Sequence, residues 1–427
     1  EVYGDEAYEF TWVGKRAAIA EAGRPIRKTL RPCPEESRDW DTTENLYIEG
    51  DNLDVLKLLQ ESYLGKVKMI YIDPPYNTGN DFVYRDNFTQ SREDYDEEAG
   101  VYDEDGERLF KNTETNGRFH SDWCSMMYSR LVLARNMLRD DGVVFISIDD
   151  NEVAQLRKIC DEVFGEDNFV VQVIWERAFS PINLKKHFSE SHDYVVCYAE
   201  NVVNLVCNGL PRSKEADNRY TNPDNDLRGN WASADLSVGP AVESNIYAIT
   251  TPSGRKVTPP SGYSWRLNQT RFAEFLADNR IWFGDDGNGV PRIKRFLSEV
   301  KQGITPMTIW KHQEVGHSQK ASQDLKRLFD DKSVFTYPKP VELVQRLLEL
   351  YTNSDSIVLD FFSGSATTAH AVMQLNAQDG GNRKFIMVQL PEVTDEKSEA
   401  FKAGYKNICE IGKERIRRAG DKIKAEA

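Results

Sequence analysis

Residues Tyr71-Ile72-Asp73-Pro74-Pro75-Tyr76-Asn77-Thr78-Gly79 set a carboxylate, two prolines and an aromatic ring at the end of an apolar run, Lys68 to Ile72. That run predicts a buried strand, and consecutive prolines cannot continue its ladder. Asp73 is thereby presented at the carboxyl end of a strand, where open α/β sheets bind their ligands. The stiff Pro-Pro turn leaves backbone carbonyls without sheet partners. A carboxylate and a free carbonyl can accept both hydrogens of an exocyclic amine while Tyr76 stacks on the ring carrying it. This is chemistry suited to a nucleobase. The competing reading is an ordinary strand end, with Asp73 as a local cap.

A second element lies nearly three hundred residues further on. Ile357-Val358-Leu359-Asp360 predicts another buried strand, followed by Phe361-Phe362-Ser363-Gly364-Ser365-Ala366 and a helix from Thr367 to Asn376. A strand, a small-residue turn and a helix N-terminus let a ligand approach the backbone closely. Gly-x-Gly-x-x-Gly and Gly-Lys-Ser/Thr are both absent, which argues against a nicotinamide dinucleotide or a phosphate loop. Phe362 and Gly364 suit a cofactor with a charged amino-acid end and a flat adenine.

The two elements resemble motif IV and motif I of the amino-methylating DNA methyltransferases that use S-adenosyl-L-methionine. Their order, catalytic motif first, is similar to the circularly permuted β group. The strings Leu46–Leu53, Ile70–Gly79, Tyr337-Pro338-Lys339-Pro340 and Leu359–Ala371 resemble the modification subunit of type III restriction–modification systems. This resemblance implies an α/β fold: a circularly permuted, Rossmann-like methyltransferase sheet with an inserted target-recognition domain. It implies methylation of N6 of a flipped adenine, with Asp73, Pro74, Pro75 and Tyr76 as the catalytic set. The cofactor residues it implies are Asp51, Lys339, Asp360, Phe361, Phe362, Ser363, Gly364, Ser365, Thr367 and Gln389, with no metal. Asp51 would meet the cofactor's adenine end or else cap the following helix. Gln389, with Glu392 as alternative, would meet the ribose. Lys339 would hold the methionine end or else mark a helix entry. Double-stranded DNA is the implied partner, with a restriction (helicase and nuclease) subunit and a second copy of the chain beside it. Cytosine N4 methylation and a catalytically silent DNA-recognition subunit are the alternatives.

Two departures from the family pattern stand out. Ala366 replaces the second glycine of the cofactor turn, which is tolerable if that residue keeps φ < 0. Type III modification subunits also continue well past the equivalent of Ala427, so a C-terminal region is expected to be missing, and the absent initiator Met points to a trimmed start.

Four parts position these motifs: an arm over 1–43, a catalytic half over 44–204, a polar recognition segment over 205–332 and a cofactor half over 333–427. A helix is expected from Ser121 to Leu138, ended by Asp140-Asp141-Gly142. His120-Ser121-Asp122 lacks the glycines of a nucleophile elbow and does not support hydrolase chemistry. The recognition segment carries Trp231, Trp265, Trp282 and Trp310 together with Arg212, Arg219, Arg228, Arg255, Arg266 and the basic patch Arg292-Ile293-Lys294-Arg295, residue types that read bases and phosphates or else build a small core.

The 427 residues are 40% hydrophobic with a net charge of −15. That charge predicts salt-sensitive DNA affinity, since phosphate contacts need cations. Much of the acid lies between Glu93 and Glu107, which reads as a solvated loop. Six cysteines without close pairs predict neither zinc nor disulfides, and fit a cytoplasmic protein. No run is long enough for a membrane span, and the sequence from Glu1 is no signal peptide.

Overall fold

The computed structural model describes residues 9–79, 83–85, 101–102, 108–111, 119–181, 186–212, 217–300 and 303–426. The acidic residues between Glu93 and Glu107 lie outside them. The chain divides into two compact units, one of residues 1–208 with 307–427 and one of residues 209–306.

The first unit is built on an eight-stranded mixed sheet. Its strands in chain order are β1 (Leu46–Glu49), β2 (Val67–Ile72), β3 (Leu138–Ile148), β4 (Phe169–Glu176), β5 (His192–Ala199), β6 (Ile309–Trp310), β7 (Ile357–Asp360) and β8 (Lys384–Gln389). They lie in the order β1-β8-β7-β2-β3-β5-β4-β6. β1, β8, β7, β2 and β3 run parallel, and β5 turns antiparallel to both β3 and β4. Every residue of β2 is buried, as expected of a central parallel strand with helices on both faces. β2 pairs directly with β7, Met69 opposite Val358 and Ile70 opposite Leu359. The strands ending at Asp73 and Asp360 are thus neighbours. Lys68, an oddity in so apolar a strand, is buried because its ammonium donates to the Asp141 carbonyl (2.6 Å) and pairs with its carboxylate (3.0 Å).

Helices α1 (Lys15–Ala22), α2 (Asn52–Tyr63), α3 (Phe119–Met137) and α4 (Val153–Phe164) precede the second unit; α5 (Ser318–Leu328), α6 (Val341–Tyr351), α7 (Thr367–Asp379) and α8 (Ile408–Glu426) follow it. Three expectations are corrected. The N-terminal segment is not a loose arm: Ala18 is wholly buried in the main core, and Trp12 donates its indole N–H to Ser125 Oγ (2.9 Å). The helix expected to stop at Asp140-Asp141-Gly142 ends at Met137, and those residues belong to β3 because Lys68 draws Asp141 against β2. Residues 307–332 belong to the first unit, since Ile309–Trp310 pairs with β4 as the edge strand β6.

In the second unit a three-stranded antiparallel sheet places Arg292–Phe296 between Ile281–Trp282 and Trp231–Asp235. The reading of Arg292-Ile293-Lys294-Arg295 as a basic patch is corrected here. Lys294 is 1% exposed, paired with Asp224 and Asp226 and lying 5.2 Å from the Trp231 ring centroid. Alternation along the strand forces this, because Ile293 and Arg295 must then point the other way. Trp231 and Trp265 are buried, and Arg228 is held by Asp226 and Asp278. These residues build the unit rather than decorate it. Arg255, Arg266 and Arg295 remain exposed.

Candidate active site

The loops after β2 and β7 open onto one cavity of about 430 Å³, lined by Asp73, Lys339, Asp360, Phe362, Gly364 and Thr367 among others. The two stretches that the sequence separates most are therefore walls of a single space.

On the β2 side, Asp73 is half-buried and Pro74 is buried. Trp123 of α3 donates its indole N–H to the Pro75 carbonyl (2.8 Å), fixing the turn and leaving the Pro74 carbonyl to other partners. The Lys339 ammonium lies 2.5 Å from Asp73 Oδ2 and 5.0 Å from the Tyr76 ring centroid. Lys339 thus covers both the carboxylate and the aromatic face. Burial, then the Asp73 charge, pushes the Tyr76 hydroxyl well above its ordinary pKa, so it stays protonated.

Asn77 follows with φ 60° and is buried, donating from Nδ2 to the Phe119 carbonyl (3.3 Å) and to Glu152. Glu152 is wholly buried and also meets His120 Nδ1 at 2.6 Å. Burial raises its pKa. His120 therefore holds the loop after Tyr76 through Glu152; it does not face a serine nucleophile.

On the β7 side, Asp360 receives the Phe362 N–H (3.1 Å) and the Thr368 hydroxyl (2.6 Å). Burial lifts its pKa to about 7. The Phe361 carbonyl accepts from Asn52 Nδ2 (2.7 Å), and the Ser363 N–H donates to Val388 (3.1 Å). Gly364 has φ 50°, and a Cβ there would stand 3.3 Å from Phe335. Its N–H donates to Gln389 Oε1 at 2.7 Å. Gln389 thus spends its side chain on the turn.

Ala366 contradicts its expected φ: it sits at φ 63°, ψ 40°, as the residue preceding α7, and is wholly buried. Its N–H donates to the Ser363 carbonyl (2.8 Å), closing a turn that needs a left-handed residue at this point. Such a conformation costs an L-residue roughly 1–2 kcal/mol. Ala366→Gly is expected to stabilise the fold by about 0.5–1 kcal/mol, the relief of strain exceeding the lost methyl packing and the looser unfolded chain. Urea midpoints check this; a lower midpoint would mean that the buried methyl matters more than the strain.

Asp51 accepts from the N–H groups of Leu53 (2.9 Å) and Asp54 (3.3 Å) and lies 3.4 Å from the Arg130 guanidinium. It caps α2 and does not line the cavity; neither do Phe361 and Gln389, nor Pro74, Pro75 and Tyr76 of the β2 turn, whereas Asp73, Ser363 and Ser365 do. Sequence reasoning missed Trp123, Glu152 and Arg415, the last of which bonds to Ser365 and Thr367 from α8. Only Trp123 carried a signal, as a tryptophan on the apolar face of α3. Among the described residues no group of His, Cys, Asp or Glu is placed to hold a metal, and no helix is long and apolar enough to cross a membrane.

A family model described as DNA methylase matches residues 67–417. The Mod subunit of the type III restriction-modification enzyme StyLTI from Salmonella typhimurium is 38% identical over 425 residues, covering 98% of this chain and 64% of that protein. The EcoP15I Mod subunit of Escherichia coli is 32% identical, covering 98% of this chain and 70% of that one. The EcoPI Mod subunit of Escherichia phage P1 is 34% identical, at 96% and 68%. The chain spans about two thirds of the length of these relatives. With the family model running through both walls of the cavity and this kinship along nearly its whole length, the chain belongs to the DNA methylase family and groups there with the modification subunits of type III systems.

Proposed function

We propose that this chain transfers a methyl group from S-adenosyl-L-methionine to N6 of an adenine flipped out of duplex DNA, as the catalytic portion of a type III modification subunit. The observation that carries the reading is the shared cavity, in which the Asp73 turn and the Gly364 turn face one space.

The lining fits such a cofactor. Asp73, Asp360, Glu392 and Asp395 suit a cationic sulfonium and an ammonium group, while Phe362 and Ile411 offer apolar surface to adenine. The cofactor supplies an electrophilic methyl group. Asp51, Phe361 and Gln389 would act from outside the cavity, by fixing α2 and the turn. Gln389→Ala removes the acceptor for the Gly364 N–H, and cofactor affinity is expected to fall about two- to tenfold, the worth of one hydrogen bond; calorimetric titration reads it.

An adenine leaves the stack at a cost of a few kcal/mol. Stacking on Tyr76 returns about 1–3 kcal/mol. Asp73 and the Pro74 carbonyl accept the two N6 hydrogens, which turns the nitrogen lone pair toward the methyl group. Lys339 must yield Asp73 Oδ2 and the Tyr76 face as the base arrives. The transfer is a direct displacement at the methyl carbon: the N–C bond forms as the S–C bond breaks, and the nitrogen then releases a proton. Orientation supplies most of the rate.

The second unit, residues 209–306, would choose the DNA sequence, with exposed Arg255, Arg266 and Arg295 as its candidate contacts. A restriction subunit and a second copy of the chain complete the proposed assembly. The test is transfer of labelled methyl to mixed bacterial DNA followed by nucleoside mass spectrometry. N6-methyladenine supports the reading. N4-methylcytosine would move the target to cytosine, and cofactor binding without any product would point to a recognition subunit.

A further inference from the structure

One charged group beneath the cavity has no ion-pair partner among the described residues; Asp324 acts on it only from beyond ion-pair distance. Arg415, on α8, is 3% exposed. Its Nη1 donates to Ser365 Oγ and to Thr367 Oγ1, each at 2.8 Å, and reaches the Ser365 carbonyl at 3.4 Å. Its Nε is buried without an acceptor. Among the described residues no carboxylate lies within ion-pair distance of it, whereas the neighbouring Arg417 meets Glu414 at 3.7 Å and Arg418 meets Asp330 at 2.7 Å. His370 of α7 stays neutral beside it, since burial and the Arg415 charge hold its pKa down at about 3. Burial draws the Arg415 pKa down to about 9, which leaves it charged at neutral pH.

A buried cation without an anion is costly, and such an arrangement persists when an anion completes it. The position tells where that anion would sit. Ser365 and Thr367 both line the cavity, as do Ile408 and Ile411 from the preceding turns of α8. The thirteen-residue helix α7 begins at Thr367, so its N-terminal partial charge adds to that of Arg415. With Arg415 donating to the Ser365 oxygen, the Ser365 hydroxyl proton is left for an acceptor on the cavity side.

We propose that Arg415 is a positioning residue that makes the Ser365–Thr367 turn select the carboxylate at the amino-acid end of the cofactor. Its charge acts through the Ser365 hydroxyl, without contact with the ligand, while the Thr367 hydroxyl donates to the Lys339 carbonyl (3.4 Å). This rests on S-adenosyl-L-methionine being the cofactor.

The test compares two probes by calorimetry, S-adenosylhomocysteine and its carboxamide, in which the carboxylate is replaced by a neutral amide. The wild-type chain is expected to prefer the carboxylate at least tenfold. Arg415→Met should bring that ratio close to one, and Arg415→Lys should keep part of it. An unchanged ratio in a folded Arg415→Met chain, whatever the loss in affinity for both probes, would make Arg415 a structural staple and overturn the proposal. Should Arg415→Met fail to fold, Arg415→Lys decides in its place, since a staple predicts the wild-type ratio there. Binding of neither probe by the wild-type chain would refute the cofactor reading itself, and this inference with it.

Discussion

Asp73→Ala is expected to lower methyl transfer about 10²–10³-fold, the usual cost of deleting one preorganised hydrogen-bonding group at a reaction centre. Affinity for the cofactor should change much less. The argument is geometric: Asp73 sits at the end of a fully buried strand, and the adjoining turn is clamped by Trp123 at the Pro75 carbonyl. Its carboxylate is an acceptor that orients the amine rather than a strong base, because the methylated nitrogen loses its proton readily. Asp73→Asn keeps one acceptor oxygen and should therefore retain more activity than the alanine variant. One complication is Lys339, whose ammonium would lose its partner and sit in the cavity uncompensated. The double variant Asp73→Ala with Lys339→Met removes that stray charge. Activity should remain low in it, which separates a lost acceptor from a misplaced cation. Rates from labelled methyl transfer, read beside cofactor titrations, decide the matter; an Asp73→Ala rate within tenfold of wild type would remove Asp73 from the chemistry.

What the sequence made legible was local. β2 and β7 announce themselves as β-branched apolar runs, and the prolines after one and the glycine after the other mark where a ligand can approach. That the two strands are neighbours follows from no local pattern; it is the structure that pairs them directly. Contacts made by long side chains were hidden. Lys339, expected to hold the cofactor's methionine end or else to mark a helix entry, stands just before α6 and sets its ammonium on Asp73, 266 positions away in sequence. Nothing in Tyr337-Pro338-Lys339-Pro340 states where four methylenes will point. Arg415 lies in Lys413-Glu414-Arg415-Ile416-Arg417-Arg418, which reads as a solvated helix face because four of the five residues beside Arg415 are charged. Helical spacing alone cannot show that one of them turns inward.

Lys294 was hidden by the opposite effect. Its basic neighbours suggested a surface patch, but strand alternation sends adjacent residues to opposite faces, and the acids that neutralise it come from another loop. Ala366 shows a conflict between local preference and tertiary demand. Alanine resists the left-handed region, and the turn between β7 and α7 imposes it all the same. Such conflicts concentrate where a protein shapes a site.

Asp360→Asn is expected to stabilise the protein at pH 8 and to weaken the cofactor's hold. Asp360 is 3% exposed, and burial lifts its pKa from 3.8 to about 7 against the opposing bonds from Thr368 and Phe362, with the nearby Asp73 charge adding to the rise. The folded state therefore keeps this proton up to about pH 7, while the unfolded chain releases it near pH 4. Between those values the folded state binds more protons, so this group's contribution to stability falls as pH rises, then levels off above the folded pKa. At 1.36 kcal/mol per pH unit the loss amounts to about 4 kcal/mol as an upper figure. Asparagine has no such proton to lose. The variant and the wild type should melt at similar temperatures near pH 4 and diverge toward pH 8, with the variant higher. Comparing the two isolates Asp360 from His370, whose depressed pKa acts in the opposite direction below its ordinary value. Ionised Asp360 is also an anion on the cavity wall that favours a cationic cofactor, so binding should strengthen with pH in the wild type and lose that dependence in Asp360→Asn. A variant less stable than wild type at pH 8 would mean that the Thr368 and Phe362 bonds to the carboxylate outweigh its desolvation. Greater stability with weaker, pH-independent binding would mark Asp360 as a charge kept for the ligand at the expense of the fold.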